Sequence, residues 1–151
     1  MNQLALWPAA SPSAGLQRPT RPTLLIVDDE PLLAEYMGSI GEDAGWAVEI
    51  ATSAAEFEAK LKSLRPDAVA LDLAMPGRDG VELLRHLKSR GFAGRLIIVS
   101  ACDRPIVETS ANLAREHGLN VIGYIGKPIP AETFALLLGQ PAFDDGAQSQ
   151  Q

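Results

Sequence analysis

Three aspartates, a serine and a lysine follow directly on short apolar runs. Asp28 and Asp29 end the run Thr23 to Val27, Asp72 ends Ala68 to Leu71, Ser100 ends Leu96 to Val99, and Lys127-Pro128 follows Val121 to Ile125. If those runs are parallel strands, their polar ends converge on one edge of the sheet. Three carboxylates gathered there repel one another and raise one another's pKa unless a cation shares the site. A hard divalent ion with oxygen ligands resolves that conflict, and Mg²⁺ is the usual choice where phosphate is also handled. Lys127 adds a second positive charge and Ser100 a hydroxyl. A nucleophilic carboxylate beside a metal, an ammonium and a hydroxyl suits the passage of a phosphoryl group to Asp72.

The elements that must position these residues are legible in the pattern of apolar positions. Three of the runs, Thr23 to Val27, Ala68 to Leu71 and Leu96 to Val99, are continuous and suit strands buried on both faces. Trp46, Val48 and Ile50 alternate with Ala47 and Glu49, as on a half-exposed edge strand, and Val121 to Ile125 supplies a fifth. Helical periodicity is expected over 31–44, 53–64, 80–90, 104–117 and 131–138. In the third of these, Leu83, Leu84 and Leu87 share one face and the charges the other. Strands and helices in strict alternation point to an α/β fold with a parallel sheet covered on both sides. No glycine-rich phosphate loop follows the first strand, where Val27 runs straight into Asp28, Asp29 and Glu30.

Composition narrows the class. With 151 residues, 46% hydrophobic and 21% charged, the chain has a globular balance, and its length fits one domain with tails. The formal net charge of −6 argues against direct binding of nucleic acid or an anionic membrane, which needs a surplus of Lys and Arg. The lone Cys102 offers no internal disulfide, no stretch approaches the roughly 20 apolar residues of a membrane span, and a cytoplasmic location is expected. Prolines 8, 12, 19 and 22 give residues 1–22 the composition of a disordered leader. Gly139-Gln140-Pro141 stops the last helix, leaving 140–151 as a flexible tail around a folded unit at 23–139.

Taken together, Leu25-Ile26-Val27-Asp28-Asp29-Glu30, the segment Leu71-Asp72-Leu73-Ala74-Met75-Pro76-Gly77-Arg78-Asp79-Gly80, Ser100-Ala101 and Tyr124-Ile125-Gly126-Lys127-Pro128 closely resemble the receiver domain of two-component response regulators, over about residues 23–139 and in the right order. The resemblance implies a doubly wound (βα)5 sandwich, flavodoxin-like, with a five-stranded parallel sheet in the order 2-1-3-4-5. It implies that Asp72 is the phosphoacceptor, charged by a histidine kinase or histidine phosphotransfer protein. Mg²⁺ (or Mn²⁺) would be held by Asp28, Asp29, Asp72 and the backbone carbonyl of Ala74. Lys127 and Ser100 would bind the phosphoryl group, Ser100 and Tyr124 would form the switch, and the Lys127–Pro128 peptide would be cis. A downstream protein would dock on the face of helix 4, strand 5 and helix 5. Such a domain signals rather than catalyses, beyond self-phosphorylation from small donors and autodephosphorylation.

Two positions depart from the common pattern. Ala74 and Cys102, two residues after Asp72 and Ser100, cannot orient a water strongly, so the aspartyl phosphate is expected to have a lifetime set by the backbone and the partner. Leu113 to Tyr124 resembles, more loosely, receivers attached to cyclic-di-GMP phosphodiesterase domains, so a receiver module at the N-terminus of a longer regulator is the alternative to a stand-alone protein. A phosphohydrolase of the haloacid dehalogenase type would need a second aspartate where Ala74 stands. His86, His117 and Cys102 are expected to be, respectively, solvated, dipole-compensating and inert. In the last helix Phe134, Leu136, Leu137 and Leu138 exceed one core stripe.

Overall fold

Each helix begins and ends where the sequence supplies a stop. The computed structural model describes residues 21–139, so the expected leader and tail, apart from Arg21 and Pro22, lie outside the described residues. Strand β1 (Thr23–Val27) leads through Glu30 into helix α1 (Pro31–Asp43), with proline at its first position, where the missing N–H is not needed. Gly45, at φ +98°, ends that helix and turns the chain into β2 (Ala47–Ala51). Helix α2 (Ala54–Leu64) is capped by Ser53, whose Oγ accepts from Glu56 N at 3.1 Å, while the Glu56 carboxylate accepts from Thr52 N at 2.7 Å. After β3 (Ala68–Asp72), Asp79 caps α3 (Gly80–Ser89) by accepting from Val81 N. Then follow β4 (Arg95–Ser100), α4 (Arg104–Glu116), β5 (Asn120–Gly126) and α5 (Ala131–Leu138).

All five strands are parallel, in the spatial order β2-β1-β3-β4-β5, which is the expected 2-1-3-4-5. Two cores flank the sheet. Leu25, Val69, Leu71, Leu96 and Ile98 face α2, α3 and α4 through Phe57, Leu83, Leu87 and Val107. Leu24, Ile26, Ala70, Ile97 and Val99 face α1 and α5 through Met37, Phe134 and Leu138. Because alternate side chains leave opposite faces, a strand buried on both sides must be apolar throughout, which is why β1, β3 and β4 read as unbroken runs.

The register places the chemistry. Val27 pairs with Leu71, so Asp28 and Asp72 emerge side by side, while Asp72 pairs with Val99 and Ser100 with Gly126, immediately before Lys127. The chain leaves β1 toward β2 on one side, whereas β3, β4 and β5 lie on the other. The gap between β1 and β3 is therefore the point where strand order reverses and a ligand site opens.

Three expectations are refined. Trp46 precedes β2 rather than belonging to a half-exposed strand, and it is buried: its indole N–H donates to the Leu138 carbonyl at 3.2 Å. β4 starts at Arg95, one residue earlier than the apolar run, and that arginine is only 8% exposed, with its guanidinium 5.2 Å from the centre of the Trp46 ring. Strand alternation turns it inward, and the indole face gives its charge a partner. The surplus of apolar residues in α5 divides into buried Phe134 and Leu138, half-buried Leu137 and a solvent-facing Leu136.

Candidate functional site

Asp28, Asp29 and Asp72 each present a carboxylate oxygen, and all three oxygens lie within 4.8 Å of one another. Asp28 is fully buried and Asp72 nearly so; Asp29 is half-buried at the rim. Two backbone amides orient the buried pair: Glu30 N–H donates to Asp28 Oδ1 at 2.9 Å, and Ala74 N–H donates to Asp72 Oδ1 at 2.9 Å. Each aspartate thus closes a local turn with the amide two residues on, and its second oxygen faces the shared space.

The ammonium of Lys127 fills part of that space. It donates to Asp72 Oδ2 at 3.1 Å, lies 3.1 Å from Asp28 Oδ2 and reaches Glu30 Oε1 at 3.3 Å. The Asp28 contact is an ion pair whose angles do not complete a hydrogen bond, so Asp28 Oδ2 is a buried acceptor with no hydrogen-bond partner among the described residues. Lys127 is anchored by its own backbone, whose N–H donates to the Ser100 carbonyl at 3.1 Å, and its peptide to Pro128 is cis.

The electrostatics follow from burial. Desolvation pushes the Asp28 carboxyl above the ordinary aspartate range. The Glu30 N–H and Lys127 oppose that rise, and the Asp72 charge adds to it. Burial works against the Lys127 charge, yet the two aspartates outweigh it and hold the ammonium above the usual lysine range. One ammonium faces Asp28, Asp72 and Glu30, with Asp29 beside them, so negative charge is in excess. All the donors are hard oxygens, the set that suits Mg²⁺ or Mn²⁺ rather than a soft metal.

The remaining expected residues sit around this centre. Ser100 is fully buried, and its Oγ accepts from Cys102 N at 3.0 Å. Tyr124 is half-buried against the core beside α4, and its hydroxyl donates to Glu108 Oε2 at 2.9 Å. Ala74 is exposed in the loop after β3, and Cys102 is half-buried. His117 is exposed near the end of α4, as expected. His86 differs: it is half-buried, lies edge-on to Phe57 with ring centroids 5.8 Å apart, and its Nε2 has no hydrogen-bond partner among the described residues. His86 follows Leu83 by three residues on α3, so it borders the buried face and meets Phe57 on α2.

Two contacts escaped the sequence reading, those of Glu30 with Lys127 and Glu108 with Tyr124. Glu30 stood in the acidic run and offered a signal. Glu108 offered only its spacing of four from Arg104, which marks a helical ion pair but not a partner on β5.

Residues 24–138 match the family model described as the response regulator receiver domain. The chain belongs to that family. It is the receiver domain of a response regulator in two-component signalling, a signalling module by class. Among curated relatives, the probable transcriptional regulatory protein TcrX of Mycobacterium tuberculosis is 33% identical over 135 residues, covering 83% of this chain and 55% of that protein. The positive alginate biosynthesis regulatory protein of Pseudomonas aeruginosa is 33% identical over 115 residues, covering 74% of this chain and 44% of its own. The receiver thus spans about half the length of the curated relatives it matches. Among solved structures, a response regulator from Colwellia psychrerythraea superposes with a TM-score of 0.68 at 30% identity, over 87% of this chain and all of that one. The chemotaxis response regulator CheY4 of Vibrio cholerae shares the fold at a TM-score of 0.68 and 24% identity, over 79% of this chain and 97% of its own. Among the described residues, no helix of the receiver is long and apolar enough to cross a membrane.

Proposed function

We propose that the receiver, residues 23–139, is a phosphorylation switch whose acceptor is Asp72. The observation that carries this reading is the position of the Asp72 carboxylate, buried at a strand end, grouped with Asp28 and Asp29 and held 3.1 Å from the Lys127 ammonium. An Asp72 oxygen forms a bond to phosphorus as the P–N bond of a phosphohistidine breaks, the electron pair leaving with the imidazole. The donor is a histidine kinase or a phosphotransfer protein.

Asp28 and Asp29, with Asp72 and the backbone carbonyl of Ala74, would hold Mg²⁺, which when bound neutralises charge on the phosphoryl oxygens. The three carboxylate oxygens within 4.8 Å of one another, all hard donors, support that fit. Lys127, whose raised pKa keeps it charged through the physiological range, passes from carboxylate to phosphoryl oxygen as charge accumulates there. Ser100 turns its hydroxyl from Cys102 N to the phosphoryl group, and Tyr124 follows it inward. That paired movement biases a two-state surface made by α4, β5 and α5, where a downstream protein docks. The exposed apolar side chains Ile106 on α4 and Leu136 on α5, 54% and 73% accessible, support that surface.

Incubation with Mg²⁺ and acetyl phosphate, followed by intact mass, tests the reading. One phosphoryl adduct is expected, and Asp72→Asn should abolish it; no adduct at saturating donor, or an adduct that survives the substitution, would overturn it.

A second reading is favoured by the length comparison. Relatives that match over this receiver extend well beyond it, so the chain would serve as the receiver module of a longer regulator, its effector domain lying past residue 151. The gene sequence downstream of the Gln151 codon decides between a stop and a continuing frame.

A further inference from the structure

Tyr124 is held by a charge on the neighbouring helix. Its hydroxyl and Arg104 Nε both donate to the same oxygen, Glu108 Oε2, at 2.9 Å and 3.0 Å. The tyrosine bond comes first and the arginine second in holding the Glu108 carboxyl below its ordinary range, so Glu108 is an anion at neutral pH and can only accept. Arg104 is the i−4 neighbour of Glu108 on α4, 78% exposed at its side chain, too solvated for the ion pair to contribute much by itself. Its effect is geometric: with that carboxylate oxygen held by the single Arg104 Nε–H, the acceptor stands where the phenol finds it.

Packing holds only one side of the ring, the side that rests against the core. A cavity of about 340 Å³, lined by Cys102, Arg104, Val107, Tyr124 and Gly126, leaves open space beside it. The tyrosine hydroxyl donates to Glu108, and the Arg104 guanidinium stands close enough to feel the phenol oxygen as well.

We infer that Glu108 is a positioning residue of the switch: it latches Tyr124 against α4 in the unphosphorylated receiver, and breaking that bond is the work that phosphorylation must do. The inference rests on the proposed role of Tyr124 as the moving aromatic. It goes beyond that role by naming what opposes the movement, and it assigns Arg104 as the residue that aims the latch. A charge-assisted hydrogen bond of this kind, half-exposed to water, biases the two ring positions by about 3- to 10-fold.

The chain has two tyrosines, Tyr36 and Tyr124, so incorporation of 3-fluorotyrosine gives two fluorine resonances, assigned by Tyr36→Phe. Beryllofluoride with Mg²⁺ should move the Tyr124 resonance of the otherwise unaltered protein. In Glu108→Ala, without any phosphoryl mimic, the resonance should already lie part-way toward that position, and phosphorylation by acetyl phosphate should accelerate by about 3- to 10-fold. Glu108→Gln, which keeps an acceptor but loses the charge, should fall between Glu108→Ala and the unaltered protein, and Arg104→Ala should move the resonance less than Glu108→Ala. If beryllofluoride moves the resonance but Glu108→Ala leaves both its starting position and the rate unchanged, the latch is wrong while the switch stands. If beryllofluoride moves nothing at Tyr124, the switch and the latch fall together.

Discussion

Asp28, the fully buried aspartate of the acidic cluster, should destabilise the metal-free receiver, and the size of that effect can be worked from the geometry. The three carboxylate oxygens lie within 4.8 Å of one another. At that separation and an effective dielectric of about 20, each pair repels by about 3.5 kcal/mol. The Lys127 ammonium, 3.1 Å from Asp28, attracts it by about 5 kcal/mol on the same scale. Asp28→Asn therefore removes two repulsions and one attraction, and the amide oxygen still accepts from Glu30 N–H. Solvent around half-buried Asp29 screens part of the difference, leaving a stabilisation of about 0.5–1.5 kcal/mol, or about 2–6 °C in Tm. Relief of Asp28 desolvation has the same sign. The assay is thermal unfolding by calorimetry in chelator and again in excess Mg²⁺. In chelator the variant should melt above the unaltered protein. At a Mg²⁺ concentration about 100 times its Kd, the unaltered protein should gain about 2.7 kcal/mol and the variant less, so that the order closes or inverts. A variant that melts at or below the unaltered protein in chelator would refute the reasoning, because Asp28 would then contribute more through its bonds than it costs through its charge.

Other consequences are simpler to state. Lys127 has a folded pKa raised above its unfolded value near 10.4, so the stability it contributes is fully present below that pH and is lost as pH rises through the folded value. In urea titrations of the metal-free protein, the difference between the unaltered chain and Lys127→Ala should hold constant from pH 7 to about 10 and shrink above it; a difference that already declines near pH 8 would contradict this sign. Two glycine substitutions should go in opposite directions. A Cβ at Gly38, inside α1, would meet Val48 Cγ1 at 3.4 Å, an ordinary contact, so Gly38→Ala should stabilise by about 0.5–1 kcal/mol through helix propensity. A Cβ at Gly94 would stand 2.3 Å from the Asp67 carbonyl oxygen, so Gly94→Ala should destabilise by about 2–3 kcal/mol in the same urea assay.

What the sequence disclosed and what it withheld divide along a physical line. Helix limits agree to within a residue because they are written locally: Pro31 opens α1, Gly45 closes it, Ser53 and Asp79 cap α2 and α3. The acidic cluster was legible for a related reason. In a parallel sheet every strand ends on the same edge, so a polar residue directly after an apolar run has its address fixed by topology alone. Arg95 breaks that logic at the opposite end of the sheet. A charged residue bordering an apolar run reads as a solvated boundary, and only the docking of Trp46 from before β2 turns it into a buried cation. Glu108 is hidden in the same way, since its partner Tyr124 is set by how α4 lies across β5, a relation no spacing along the chain encodes. The residues proposed for the chemistry sit where backbone topology puts them, whereas those proposed to bias its equilibrium depend on side-chain contacts between elements. On the proposed switch, substitution on α4 would therefore tune the Tyr124 latch, while Asp28, Asp72 and Lys127 stay where the strand ends place them.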